Sequence, residues 1–182
     1  MSSPGPTSSP SFAPSPDAPR VADFDPRAFR QTLGAFATGV AVVAAEAADG
    51  TLVGMTMSSF NSVSLDPPLV LFSVARTALS LPALRTAAAY GISVLAHDQQ
   101  DLSGRFARAQ GEKWSGVDHL RGHGGAPLLA GAAAHLECVP HAIHDGGDHE
   151  VFIARVVAHR SAVAEPLIFH AGRYRTLAAV AG

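Results

Sequence analysis

The sequence predicts a mainly β fold with flanking helices, arranged as a closed antiparallel barrel, on three observations. Apolar runs of strand length recur along the chain, tight-turn signals join several of them, and only two or three segments show helical spacing. In chain order, Asp25 can cap a first helix, Pro26 suits its first position, and Phe29, Leu33 and Phe36 recur at i, i+4 and i+7. That helix is expected to stop near Thr38-Gly39, where Val40 to Ala45 begins a strand. Asp49-Gly50 signals a hairpin, and Thr51 to Met57 returns antiparallel. A polar loop follows, closed by the rigid turn Asp66-Pro67-Pro68 before the buried strand Leu69 to Val74. A short helix at Ser80 to Ala87, a strand at Tyr90 to Leu95 and a helix from His97-Asp98 to about Arg108 come next. Gly111 to Pro127 reads as a Gly-rich loop. Ala132 to His144 and His149 to His159 flank Asp145-Gly146-Gly147-Asp148 as a long hairpin, with His144 and His149 across from each other. Leu167 to His170 is the last short strand, giving six or seven in all.

A length of 182 residues suits one compact domain, with residues 1–22 as a disordered tail and 23–182 as the folded unit. The first twenty residues hold six Pro and six Ser and no periodic apolar face. Charged residues make up 15% of the chain, below the roughly 25% of ordinary soluble domains, which points to a sizeable subunit interface. A net charge of −2 gives no polyanion-binding signature, so nucleic acid is not expected as a partner. No apolar run reaches the roughly 20 residues of a membrane-spanning helix, and no membrane partner is expected. The single cysteine, Cys138, fits a reducing compartment, and no secretory leader is evident, so a cytoplasmic location is expected.

The chain has no Walker loop, no Gly-x-Ser-x-Gly elbow and no His-Glu-x-x-His. Three other segments can carry chemistry. In the first, Gly54-Met55-Thr56-Met57-Ser58-Ser59-Phe60-Asn61-Ser62, a strand ends in hydroxyls and an amide, which suit a planar heteroaromatic ring with imide and carbonyl edges. An ordinary Ser-rich loop is the plainer alternative. In the second, Arg76, Thr77 and Ser80 near a helix start can hold a phosphate, or Thr77 or Ser80 can simply cap the helix. The third groups Cys138, His141, His144 and His149; its spacing matches no zinc pattern, and no metal is expected. Asp148-His149 instead reads as a polar pair presented to a substrate at a turn.

Taken in order, these segments resemble the flavin reductase family that supplies reduced flavin to two-component monooxygenases. The resemblance is carried by Phe29 to Val40, Gly54-Met55-Thr56 to Ser58-Ser59-Phe60, Ser62 to Val70, Gly91 to Leu95, Leu102-Ser103-Gly104-Arg105-Phe106-Ala107, Gly147-Asp148-His149 and Gly172-Arg173-Tyr174. It implies an FMN-binding split barrel, a homodimer, and hydride transfer from NADH or NADPH to FMN or FAD. No Arg cluster suited to a 2′-phosphate is evident, which favours NADH. By the same resemblance Thr56, Met57, Ser58 and Ser59 line the flavin ring and ribityl chain, with Asn61 and Ser62 beside them. Arg76 and Ser80 fall near the phosphate, Phe106 and Lys113 near the far end, and His149 and Tyr174 face the nicotinamide, His149 being the catalytic candidate. Family members often carry Ala where this chain has Met57.

Two other readings fit the same residues: a split-barrel oxidoreductase that keeps its FMN and acts on an organic substrate, and a flavin-binding electron carrier without nicotinamide turnover. In any of these readings the tail has no packed element to contribute. Deletion of residues 1–20 should leave Tm and flavin reduction nearly unchanged, measured side by side with the full chain; a large loss of either would show that the tail docks on the domain.

Overall fold

The structure, a computed structural model, describes residues 25–178; the Pro/Ser-rich stretch 1–22 lies outside the described residues. Helix α1 (Pro26–Leu33) leads into strands β1 (Thr38–Gly39), β2 (Ala41–Glu46), β3 (Leu52–Met57), β4 (Asn61–Leu65) and β5 (Pro68–Ala75). Helix α2 (Leu81–Thr86), β6 (Tyr90–Val94), α3 (Gln100–Ala107), β7 (His119–Arg121) and β8 (Pro127–Leu129) follow. The chain continues through β9 (Ala134–Gly146), β10 (His149–Ser161), β11 (Ile168–His170) and β12 (Arg173–Arg175).

Seven strands form one antiparallel sheet in the order β3-β2-β6-β9-β10-β5-β4, β1-β11-β12 form a second, and β7-β8 a third. The strand-rich, helix-poor architecture agrees with the sequence reading, with four differences. The barrel is not closed, because β3 and β4 remain as two edges of the main sheet. They are joined only by Ser58, Ser59 and Phe60, and the Ser59 hydroxyl meets the backbone of Ser73 on β5, accepting from its N–H at 3.0 Å. The stretch after Met57 is not all loop: Asn61–Leu65 pairs with β5, and its exposed Asn-Ser-Val-Ser-Leu pattern lacks the alternation that marks a half-buried strand. Gly111 to Pro127 likewise contains β7, and α1 ends at Leu33 with Gly34 as its cap, short of Thr38.

Strand β2 explains its own unbroken apolar run. Ala41, Val43 and Ala45 belong to one buried cluster, while Val42 joins Val40 in another, so both faces of the strand are covered. The first cluster centres on Phe72, Tyr90 and Phe152, with Phe72 stacked on Phe152 at 5.1 Å between centroids and Tyr90 edge-on to both. Helix α2 closes it with Leu81 and Leu84. The second cluster packs Leu95, Leu129 and Leu167 with Phe106 of α3.

The register of β10 on β5 places Val74, Phe72 and Val70 opposite Glu150, Phe152 and Ala154. All six are buried, so the inward face of β10 begins with a carboxylate. A buried charge without a partner is strongly destabilising, and Glu150 has two arginine partners. Arg85 donates from Nε to Glu150 Oε2 at 2.9 Å and pairs again through Nη2, and Arg76 Nη1 reaches Oε1 at 2.8 Å. The hydrogen bond from Arg85, aided by the charges of Arg85 and Arg76, holds the Glu150 carboxyl below its ordinary value against desolvation.

Two expected outcomes follow from this packing. A Cβ on Gly91 of β6 would collide with the carbonyl oxygen of Pro127, a backbone atom that cannot swing aside. Gly91→Ala should therefore cost about 1–3 kcal/mol, a fall of several degrees in Tm, and a neutral result would show that the β6–β8 packing is loose. Because the folded value of Glu150 lies below the ordinary 4.5, its pairing stabilises fully above that pH and is lost as pH falls below it. Glu150→Gln should flatten the fall of Tm between about pH 5 and 3; an unaltered acid limb would mean that the pairing contributes nothing.

Candidate functional site

The free edge of β3 borders a groove whose other wall is built from the turn before α2 and the loop after α3. Three adjoining cavities run along it, of about 390, 240 and 210 Å³. Ser80 and Lys113 line both of the first two, and Thr56 lines the second and third. Such volumes suit a small-molecule ligand lying along the edge of the strand.

Gly54 sets the depth of this groove. A Cβ there would meet the Phe106 ring at 2.9 Å and Trp114 at 3.0 Å, so only glycine lets the two aromatics close against β3. Phe106 and Trp114 pack edge-on at 4.8 Å between centroids. The Trp114 indole N–H is buried with no acceptor among the described residues. The Lys113 ammonium donates to the carbonyls of Gly54 at 3.2 Å and Phe106 at 3.3 Å. The Gly54 carbonyl thus points away from β2, and strand geometry turns the N–H groups of Gly54 and Thr56 the same way, onto the free edge. Burial pulls the Lys113 ammonium below the ordinary lysine value, so an anion beside it would favour its charged form.

Farther along, the Thr56 hydroxyl donates to the Ser103 carbonyl at 2.7 Å, and the Ser103 hydroxyl lies 2.8 Å from the Tyr174 hydroxyl. Tyr174 reaches this point through the β11–β12 hairpin, whose turn residues Ala171 and Gly172 both have positive φ, as a type I′ turn requires. Met57 is buried and forms part of the third cavity's wall, and Ser58 is exposed on its rim. The Ser80 hydroxyl caps no backbone group and lies 3.5 Å from the Met55 sulfur.

The structure therefore brings Thr56, Met57, Ser58, Ser80, Lys113 and Tyr174 onto one groove, with Phe106 fully buried behind it. Ser59 instead holds the corner between the two sheet edges. Asn61 and Ser62 stand exposed on β4, where the Asn61 side-chain carbonyl accepts from the Ser62 N–H at 2.9 Å. Arg76 is engaged with the β9–β10 hairpin.

His149 opens β10 opposite Ala75, a wall residue of the 240 Å³ cavity, and its Nδ1 lies 2.7 Å from Asp148 Oδ1. His144 is not across from it. The turn is Gly147-Asp148, with Gly147 at a φ of 75°, so His149 pairs with Gly146 and His144 with Val151. Glycine at the first turn position fits a type II′ hairpin, one residue later than the Gly146-Gly147 pair suggests. Among the described residues no three of His, Cys, Asp and Glu gather as metal ligands; Cys138 is buried, whereas His141 and His144 are exposed.

The sequence reading gave Gly54 only as the start of the first segment and assigned no role in the site to Gly54, Leu79 or Trp114. A glycine inside a strand was the available signal for Gly54, and the only tryptophan, set in a Gly-rich loop, was the signal for Trp114.

Comparison with known proteins agrees with this geometry. The chain is 40% identical over 151 residues to the reductase subunit HsaB of a flavin-dependent monooxygenase from Rhodococcus jostii, covering 82% of this chain and 77% of that one. It is 44% identical over 150 residues to the NADH-dependent FMN reductase SmoA of Agrobacterium fabrum, covering 81% and 84%. The solved NADH:FAD oxidoreductase SgcE6 of Streptomyces globisporus, in complex with NAD and FAD fragments, superposes with a TM-score of 0.78 at 39% identity over 82% of this chain and 91% of that one. Against two longer Rhizobium meliloti relatives the chain spans 49% and 66% of their length. The flavin reductase like domain matches residues 33–178, which takes in the groove, the hairpin and Tyr174. On that match and those identities, the chain belongs to the flavin-reductase-like family of split-barrel proteins.

Proposed function

We propose that this protein is an NAD(P)H:flavin oxidoreductase that reduces FMN or FAD and releases the reduced flavin to a separate flavin-dependent monooxygenase. The observation that carries the reading is the groove along β3, which offers apolar walls, hydroxyls and one ammonium, within a chain that matches the family over residues 33–178. NADH is the favoured donor, in keeping with the names of SmoA and SgcE6.

The residues present fit a flavin. Leu79, 66% exposed on the groove wall, gives an apolar face for a planar ring. The free-edge N–H groups of Gly54 and Thr56 and the Ser58 hydroxyl can meet polar ring edges. Lys113 retains one N–H beyond its two carbonyl partners for a phosphate, with Ser80 adjoining it, and acceptor oxygens there would answer the unpaired Trp114 indole. Met57 backs the ring, and Ser59 fixes the corner that carries Ser58.

When bound, flavin and nicotinamide supply the hydride acceptor and donor, so the chain needs no nucleophile of its own. Its residues orient the two rings and shield them from water. Thr56, Ser103 and Tyr174 form a hydrogen-bonded floor at one end of the groove, and Phe106 with Trp114 closes the other. His149, held at Nδ1 by Asp148, keeps Nε2 open for the incoming nicotinamide.

The working unit in this reading is a cytoplasmic homodimer. The dimer's support is the apolar surface left exposed, including Leu33 at the end of α1, Phe36 after it, and Val63 and Leu65 on β4. Among the described residues no helix is long and apolar enough to cross a membrane.

Steady-state oxidation of NADH and NADPH with added FMN, FAD or riboflavin tests the activity. Flavin-dependent turnover by protein that holds its flavin loosely is expected. Lys113→Met should raise the KM for FMN by about tenfold while leaving riboflavin within about twofold, as for loss of one hydrogen bond to a charged group. Tightly held flavin that NADH does not bleach would mean an electron carrier instead.

A further inference from the structure

Arg76 makes an unusual set of contacts for a presumed phosphate ligand. Its backbone N–H donates to the Asp148 carbonyl at 2.9 Å and its Nε to the Gly147 carbonyl at 2.8 Å. Nη1 reaches Glu150 at 2.8 Å and Nη2 reaches Asp145 at 2.5 Å. One arginine thus holds residues 145, 147, 148 and 150, the shell of the hairpin tip around His149, without touching His149 itself. We infer that Arg76 is a positioning residue that fixes the hairpin tip, and through it His149, at the mouth of the groove.

The chemistry of the guanidinium supports this role over phosphate binding. Its planar fork gives directional bonds, and here one carbonyl and two carboxylates take three of its five N–H groups. The two carboxylates also offset its charge, which lowers its pull on a phosphate. The hairpin needs such an anchor. Gly146 and Gly147 give the tip wide backbone freedom, and hairpin tips open most cheaply. Asp145 adds a second tie by accepting from the Gly147 N–H at 3.2 Å, and Asp148 orients the His149 ring through Nδ1. Arg76 follows Ala75, which pairs with His149 and lines the 240 Å³ cavity, so the anchor sits where the tip meets the groove.

The inference rests on the flavin-reductase reading, because it assigns His149 a place beside the nicotinamide. The test is a double-mutant cycle on the full chain, with Arg76→Ala and Asp145→Asn each made alone and with His149→Ala. Asp145 is exposed, so its variant keeps the test open should Arg76→Ala fold poorly. KM for NADH and single-turnover flavin reduction are measured together with Kd for FMN and for riboflavin.

Arg76→Ala should lower the NADH-dependent reduction efficiency about tenfold and Asp145→Asn about threefold. Both losses should shrink to within about twofold in the His149→Ala background, because the anchor acts through that residue. FMN and riboflavin affinities should change less than about twofold. A loss of FMN affinity of about tenfold that spares riboflavin would make Arg76 a phosphate ligand and overturn the inference. Equal losses with and without His149 would overturn it too, showing an effect on the fold that bypasses the histidine. Absence of NADH-dependent flavin reduction in the unmutated protein is the separate result that removes the underlying reading, and the inference with it.

Discussion

Three residues, Ser58 to Phe60, join the two edge strands of a seven-stranded sheet, and this short link dictates much of the rest. Laid flat, six strand spacings of about 4.8 Å would separate β3 from β4 by roughly 29 Å. Four Cα steps from Met57 to Asn61 reach at most about 14 Å. The sheet has to curl until its edges approach at one corner, and the Ser59 hydroxyl fastens that corner to Ser73. Curling wraps Phe72, Tyr90 and Phe152 inside and leaves β3 with one unpaired edge. An unpaired edge displays backbone donors and acceptors in a row, which is hazardous when bare and useful when a ligand or loop covers it. Here Lys113 and Trp114 come down over the Gly54 end, and the remainder is the groove.

The buried Glu150 joins this groove to the long hairpin. The register that packs Phe152 and Ala154 inward turns Glu150 inward as well, two residues before Phe152. Its arginine partners come from either end of one segment: Arg76 precedes and Arg85 follows the stretch 77–80 that walls the groove. One carboxylate therefore brackets the wall from both sides and ties it to the strand that begins with His149. Such a pairing adds little net stability over an apolar substitute, but it fixes geometry, because removing one partner leaves the other charge stranded. Loop wall and hairpin tip are thereby constrained to move as one unit.

Strands with one covered face or two were legible in the sequence, because burial leaves an apolar signature. The apolar runs Val40 to Ala45 and Leu69 to Val74 gave β2 and β5 within a residue or two. Strand β4 was not legible, since its Asn-Ser-Val-Ser-Leu residues are mostly exposed and it is held by pairing with β5 alone. Closure of the barrel was also beyond reach, as strand order depends on contacts far apart in sequence. Within the site, the hydroxyls at Thr56 and Ser58 and the placing of Lys113 and Tyr174 came from ordered resemblance to a family, and the groove gathers them. Arg76 is engaged in a way that residue type alone does not show. An arginine beside a helix start suits a phosphate by type, yet the carboxylates of Asp145 and Glu150, some seventy residues away, occupy it.

In the reductase reading proposed above, the make-up of the groove also bears on whether flavin stays or leaves. Its polar partners are a few neutral hydroxyls and edge amides, each contributing about 0.5–1.5 kcal/mol net, one ammonium already shared with two carbonyls, and Arg108 on the wall of the 240 Å³ cavity. Arg76 and Arg85 are both tied to Glu150 and do not turn a whole fork to the groove. Ordering the ligand and the loop around Gly111 subtracts from those gains. Binding of that kind has modest affinity and fast release, which suits a flavin that is substrate and product rather than a resident group. A reductase that must surrender its reduced flavin to another enzyme needs weak polar contacts in the groove and firm ones in the frame around it. In this chain the strong ion pairs are in the frame and the lone hydroxyls are in the groove.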